Sequence, residues 1–340
     1  MRLGIWTPAP QTIRPDPVTK PALDALTTSG GGPDASFDYA VRLLNRAEEL
    51  GFDITLIAQR WFGPDLDSWI YAASLAPVVR KMEIMAAVHP GIMDPRIAAK
   101  LGASIDRISG GRFCVNIVNG TRPQEHNMYG SWIDSDEGRY RRMDEFIRIV
   151  KGLWTQESFT LEGEFYQVRD CVMPTRPVRS PHPPFYAASR ADEGMSVVSQ
   201  ECDTWFVNYD KDRRNYAQSL RRIEDEIGQM EKRVSALGRR MGYGINAVVF
   251  VADSDAEAEA LADEHVRVVT TDPTVFVGTS GVGANLIGTP KTIVERMRRY
   301  EALGVDLFML HFHPMHEGLE QFAEKVMPDL QIGAKAKSLA

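Results

Sequence analysis

Three of the chain's seven histidines crowd into one short stretch, His311-Phe312-His313-Pro314-Met315-His316. In an extended strand, residues two apart point the same way, so His311 and His313 share a face. That spacing serves either a metal or a pair of groups exchanging protons. No convincing third ligand stands nearby, and Pro314 breaks the register before His316. No metal is therefore assigned, and His313 and His311 are read as acid–base candidates. His89, in Ala86-Ala87-Val88-His89-Pro90-Gly91, is the third. Asn116 and Asn119 lie on and just after an apolar run, in Val115-Asn116-Ile117-Val118-Asn119-Gly120. Ala187-Ala188-Ser189-Arg190 joins small residues to a hydroxyl and a guanidinium just before a helix, the chemistry that holds a phosphate or another anion. The same turn also suits a plain helix cap. Tyr140, in Asp136-Glu137-Gly138-Arg139-Tyr140, opens another helix and serves either packing or binding.

These residues share one position: each falls where an apolar strand gives out into a polar loop. Strand-like runs at 3–7, 53–58, 83–88, 113–118, 184–188, 204–208, 245–252 and 305–311 alternate with amphipathic helical stretches such as 36–51, 95–108, 139–154 and 212–240. Eight strands alternating with helices predict an α/β fold, a (β/α)8 TIM barrel whose chemistry gathers at the C-terminal strand ends. Residues 159–168 alternate around a glycine and predict a β-hairpin standing off the barrel. Residues 8–35 and 270–288 are long and aperiodic; the second is read as a mobile lid. With 155–180 they count as insertions in a single domain spanning 1–340. Trp6, Trp61, Phe62 and Trp69 lie near the ends of the first two strands, where a flat ring or apolar substrate would find an aromatic wall.

Composition narrows the partners. Of 340 residues, 44% are hydrophobic and 25% charged, and 39 Lys and Arg against 46 Asp and Glu leave a net charge of −7. That balance argues against nucleic acid and anionic lipid. No basic-then-apolar leader and no run of about 18 apolar residues is present, which predicts a protein without a membrane span. Three scattered cysteines, Cys114, Cys171 and Cys202, form no disulfide framework, so a reduced, cytoplasmic setting is expected.

Several words match a known family: Ala-Glu-Glu-Leu-Gly-Phe-Asp (47–53), Ala-Ala-Lys-Leu-Gly-Ala-Ser-Ile-Asp-Arg-Ile-Ser-Gly-Gly-Arg (98–112), Val-Asn-Ile-Val-Asn-Gly (115–120), Gly-Arg-Tyr-Arg-Arg-Met-Asp-Glu-Phe (138–146), His-Pro-Pro-Phe-Tyr-Ala-Ala-Ser (182–189), Asn-Leu-Ile-Gly-Thr-Pro (285–290) and Leu-Gly-Val-Asp-Leu (303–307). In this order they resemble the bacterial-luciferase-like flavin monooxygenases, and most of all the two-component dimethylsulfone and alkanesulfonate enzymes. The resemblance implies a barrel that takes FMN as FMNH2 from an NAD(P)H-dependent FMN reductase. Reaction with O2 gives a flavin peroxide that oxygenates a small organic substrate. It implies a homodimer or homotetramer. Carried over, Asn116 and Asn119 contact the flavin, Ala87 and His89 lie near its ring, and Tyr140, Ser189 and Arg190 hold its phosphate. Relatives often carry a non-proline cis bond on the strand of His89, placed here at Ala86–Ala87.

The departures bear on substrate. Alkanesulfonate enzymes carry an Arg-x-His pair where this chain has Asn246 and Val248, which resembles the dimethylsulfone enzymes more closely. Thr121-Arg122 also replaces a common Gly-Trp, and His313-Pro314-Met315 replaces Tyr-Pro-His. Trp6, Asn246 and Phe312 are the expected substrate contacts, and a sulfone or sulfonate losing its C–S bond is the expected chemistry. Open alternatives are a deazaflavin-dependent hydride-transfer oxidoreductase, a flavin-binding relative without activity, and a histidine metallohydrolase.

Overall fold

A computed structural model of the protein describes residues 1–10, 34–61, 65–119, 123–133, 135–209, 215–271 and 279–330. Most of the expected insertion at 8–35, together with Phe62, Thr121 and Arg122, lies outside the described residues. In chain order the elements are β1 (Arg2–Trp6), α1 (Ala35–Leu50), β2 (Ile54–Ile57), α2 (Ser68–Leu75), β3 (Glu83–Val88), α3 (Pro95–Ser109) and β4 (Phe113–Ile117). Next come α4 (Pro123–Tyr129), α5 (Asp136–Thr155), β5 (Phe159–Glu162), β6 (Gln167–Cys171), β7 (Phe185–Ala187), α6 (Asp192–Glu201) and β8 (Thr204–Phe206). The chain continues through α7 (Tyr216–Ala236), β9 (Gly242–Val251), α8 (Asp255–Thr271), β10 (Leu286–Gly288), α9 (Pro290–Ala302), β11 (Val305–Phe312) and α10 (Met315–Lys325).

Side chains at the helix ends say why the helices start and stop where they do. Asp94 accepts from the Arg96 N–H at 2.8 Å, Pro95 follows with its φ already helical, and Gly110 closes α3 in the left-handed region at φ 70°. The strands pair in parallel in the order β9–β11–β1–β2–β3–β4–β7–β8, and β8 pairs back onto β9 to close the ring. This is the eight-stranded barrel the alternation predicts. The hairpin is present too: β5 and β6 pair antiparallel outside the ring. The Glu145 carboxylate on α5 pins its turn, accepting from the N–H groups of Glu164, Phe165 and Tyr166 at 2.6, 2.9 and 3.0 Å. No helix among the described residues is long and apolar enough to cross a membrane.

Two expectations meet the structure differently. First, of the segment read as a mobile lid, residues 272–278 lie outside the described residues, and the described remainder is built into the barrel flank. Residues 279–284 form a 3-10 turn with Val282 and Ala284 buried, and β10 adds a parallel strand to β9. The sequence hid this because β10 is only three residues long among glycines. Second, the cis bonds among the described residues are Ser180–Pro181 and His313–Pro314, and Ala86–Ala87 is trans. Ala86 and Ala87 sit in unbroken register against Val115 and Asn116. A trans bond also avoids the ~3 kcal/mol a non-proline cis form costs.

The barrel's floor is ionic. Glu83, at the start of β3, pairs with both Arg2 and Arg179. Arg2 also donates to the Tyr186 hydroxyl at 3.3 Å, and Arg179 reaches the Cys114 sulfur at 3.6 Å. Burial alone would raise the Glu83 carboxyl, but the Arg2 and Arg179 charges outweigh it and hold it below its usual range. Glu83→Gln is expected to cost about 3 kcal/mol at pH 7, read by chemical denaturation. A depressed folded-state pKa means the stabilisation is present above the unfolded value and disappears as pH falls through the folded one. The gap between native protein and variant should therefore close below about pH 4.

Candidate active site

Above this floor, side chains pointing into the ring form an apolar layer: Ile54, Leu56, Met85, Cys114, Tyr186, Phe206, Leu307 and Met309. Gly4 is part of that fit, because a Cβ there would stand 2.2 Å from the Met309 sulfur. One step further along β1, β4, β9 and β11 the same face changes character. Trp6 follows Gly4, Asn116 follows Cys114, Asn246 follows Gly244, and His311 follows Met309. Trp6, Asn116 and Asn246 are the partly exposed positions inside otherwise buried stretches of strand, which shows that the barrel is open at this end. His89, Ser189 and Asn208 lie just past β3, β7 and β8, so the mouth is a polar ring.

One side of the mouth is a cavity of about 400 Å3 lined by Tyr140, Ala188, Ser189, Arg190, Phe206, Val207, Asn208, Tyr209 and Asn246. It unites four of the residues singled out in the sequence: Tyr140, Ser189, Arg190 and Asn246. The Ser189 hydroxyl donates to the Tyr140 oxygen at 3.1 Å. Arg190 donates through Nε to Asn208 Oδ1 at 3.1 Å. Helix α6 starts beside them, and its N-cap, Ala191, brings no side-chain cap to the first-turn N–H groups. Hydroxyls, a guanidinium and an uncapped helix start are together the donor set an anion needs. Gly194, in that first turn, keeps the cradle open: a Cβ would lie 2.1 Å from the Ser189 oxygen and 2.3 Å from the Tyr140 ring.

The opposite side is aromatic. Trp6 stacks on His311 with ring centres 5.7 Å apart, and His311 lies 4.7 Å from His313. His313 stacks in turn on His265 of α8 at 4.5 Å, a buried histidine that periodicity did not bring forward. Among the described residues, no three His, Cys, Asp or Glu side chains converge as metal ligands. His89 stands apart from this group, stacked on His126 of α4 at 5.7 Å. Burial, then His126 and Arg60, push its imidazole down to about 3, so it is neutral at physiological pH. Ala87 is buried, and its carbonyl accepts from Ser68 Oγ at 2.8 Å and Trp69 Nε1 at 3.0 Å. That makes Trp69 core rather than pocket wall, while Trp61 packs on Tyr129 at 5.0 Å.

Phe312 does not belong to the mouth. It faces outward between β11 and the helices, 6.3 Å from Phe52 and 5.5 Å from Phe322. The alternation that pairs His311 with His313 turns Phe312 away, so it is corrected to a packing residue. Asn208 and Tyr209 were missed, although both follow the end of a barrel strand, where polar side chains carry weight.

Flavin fits this donor set. The anion pocket matches a terminal phosphate. The buried Asn119 Oδ1, Asn246 Oδ1 and His89 Nδ1 have no hydrogen-bond partner among the described residues, and a polar heterocycle would supply partners.

Fold and site define the class: a parallel α/β barrel with an anion cradle and an aromatic-walled mouth at the C-terminal strand ends. The chain belongs to the luciferase-like monooxygenase family, whose model matches residues 1–307, and it is a flavin-dependent oxidoreductase. It is 31% identical over 327 residues, 86% of this chain and 87% of the relative, to an FMNH2-dependent dimethylsulfone monooxygenase of Pseudomonas putida. Among solved structures it resembles monooxygenase RslO1 from Streptomyces bottropensis, with a TM-score of 0.76 at 20% identity, covering 96% of this chain and 99% of that one. It also resembles an F420-dependent secondary alcohol dehydrogenase in complex with an F420-acetone adduct, with a TM-score of 0.70 at 17% identity, covering 96% and 98%.

Two predictions follow from the geometry. The His89 ring resonances should hold still in an NMR titration from about pH 5 to 8, whereas a midpoint near 6.5 would contradict its neutral state. Gly194→Ala should weaken binding of a phosphate-bearing flavin about tenfold or more, with melting temperature nearly unchanged, because Ser189 and Tyr140 must move apart.

Proposed function

We propose that the protein is an FMNH2-dependent, two-component monooxygenase acting on a small neutral organosulfur compound, a sulfone in preference to an alkanesulfonate. The observation that carries this reading is the charge pattern of the mouth. The anion cradle is confined to one side, and β9 and β11 bring Asn246 and His311, rather than a guanidinium, to the mouth. A sulfonate would meet no guanidinium on β9 or β11, at a desolvation cost that a neutral sulfone escapes.

Tyr140, Ser189 and Arg190 would hold the flavin phosphate, and Asn116, Asn119 and Asn246 the polar edge of its ring system. Bound reduced flavin supplies the electrons for O2 activation, so the protein's part is to position and to exclude water. Trp6 walls the pocket. Neutral His89 turns an unpartnered Nδ1 to the site and does not change charge near pH 7. His311, stacked on Trp6, and its neighbour His313 would take or return a proton. An NAD(P)H-dependent FMN reductase would deliver FMNH2, and the dimethylsulfone enzyme of P. putida is the support for that partner. The solved F420-dependent dehydrogenase favours a second reading, hydride transfer from a deazaflavin, since an anion cradle also accepts a phosphodiester.

Anaerobic titration separates the two. Reduced FMN is expected to bind with a Kd of about 1 μM or tighter, and reduced F420 far more weakly. Turnover should then require O2 and consume dimethylsulfone faster than methanesulfonate. Tight F420 binding with O2-independent reduction of a carbonyl would overturn the proposal.

A further inference from the structure

Asn208 lines the cradle's cavity from just beyond the end of β8 and is 8% exposed. Its amide is used at both ends. Oδ1 accepts from Arg190 Nε at 3.1 Å, and Nδ2 donates to the Ser189 carbonyl at 2.6 Å. The partners fix which end is which, since a guanidinium only donates and a carbonyl only accepts. One side chain thereby ties Arg190 to the turn that carries Ser189.

Arg190 itself is exposed and has no carboxylate partner among the described residues. A free arginine side chain carries about 2 kcal/mol of rotamer entropy, which a ligand must otherwise remove on binding. Anchoring Nε removes much of it beforehand and leaves the terminal Nη groups for an anion. The anchor must also be neutral. An aspartate of the same shape would ion-pair with Arg190, compete with the incoming phosphate, and set its oxygen against the Ser189 carbonyl.

We propose that Asn208 is a positioning residue that keeps Arg190 oriented and uncompensated, so that the cradle distinguishes a phosphorylated flavin from an unphosphorylated one. This rests on the FMN reading above. Its effect belongs to the difference between two ligands that share a ring system.

The test is anaerobic titration of the full chain with reduced FMN and reduced riboflavin, followed by quenching of tryptophan fluorescence. Circular dichroism melts serve as the folding control. The native protein should bind FMN at least about tenfold more tightly than riboflavin. Asn208→Asp should weaken FMN about 10- to 100-fold and riboflavin less than about threefold, collapsing the preference. Asn208→Ala, which adds no charge, should weaken FMN about 3- to 10-fold with riboflavin again little changed, and it stands in if the aspartate variant does not fold. An unchanged FMN-to-riboflavin ratio in the folded variants would overturn the proposal. Equal affinity of the native protein for both flavins would overturn it while leaving flavin use intact. Binding of neither flavin would overturn the FMN reading, and this inference with it.

Discussion

Closing eight parallel strands into a ring sends every second side chain of each strand into one shared interior, and that space must be filled from bottom to top. The rest of this molecule follows from how it is filled. At the floor, Glu83 is shared by Arg2 and Arg179, so the ends of β1 and β3 are tied to the chain leading into β7. In the middle, Met85, Phe206, Tyr186 and Met309 pack a solid layer, and Gly4 gives up its side chain to admit the Met309 sulfur. Because that layer is full, whatever comes next along the same faces stands at the open end. Trp6, Asn116, Asn246 and His311 are therefore presented together at the mouth, although they come from distant parts of the chain.

Strand parity and local capping were readable from the sequence because both act over a few residues. β3 spans the same residues that its apolar run marks, and Asp94-Pro95 and Gly110 bracket α3 as their chemistry requires. Part of the cavity lining was readable: Tyr140, Ser189 and Arg190 stand out at recognisable turns, and the fold brings them together. The contacts that set their geometry cross long sequence separations. Asn208 reaches back to Ser189 and Arg190, Gly194 makes room for Tyr140, and His265 stacks on His313 from a separate helix. No periodicity reports such pairs. Phe312 is a different kind of error: the alternation that aligns His311 with His313 already turned it away from the mouth.

Electrostatically the mouth is divided. The His89–His126 stack is buried, and His89 pays for that burial by staying neutral, which suits a wall that must accept hydrogen bonds without drawing in ions. On the cradle side Arg190 stands beside the uncapped start of α6. Such a division lets one barrel end hold a charged anchor and a neutral reacting group at once, since each region is desolvated on its own terms.

Arginine serves two ends of this barrel in opposite ways, and the partner decides which. Arg2 and Arg179 face a carboxylate, so their charge is spent within the fold and they act as cross-braces between strands. Arg190 faces a carboxamide, which fixes its direction through one hydrogen bond and leaves its charge in place. Exchanging carboxylate for carboxamide alters a side chain by one heavy atom, yet it separates an arginine whose charge is neutralised within the fold from one whose charge is left standing. An arginine braced by a neutral amide at the C-terminal end of a barrel is for that reason a stronger sign of an anion site than an arginine in an ion pair, because the fold has ordered the cation without cancelling it.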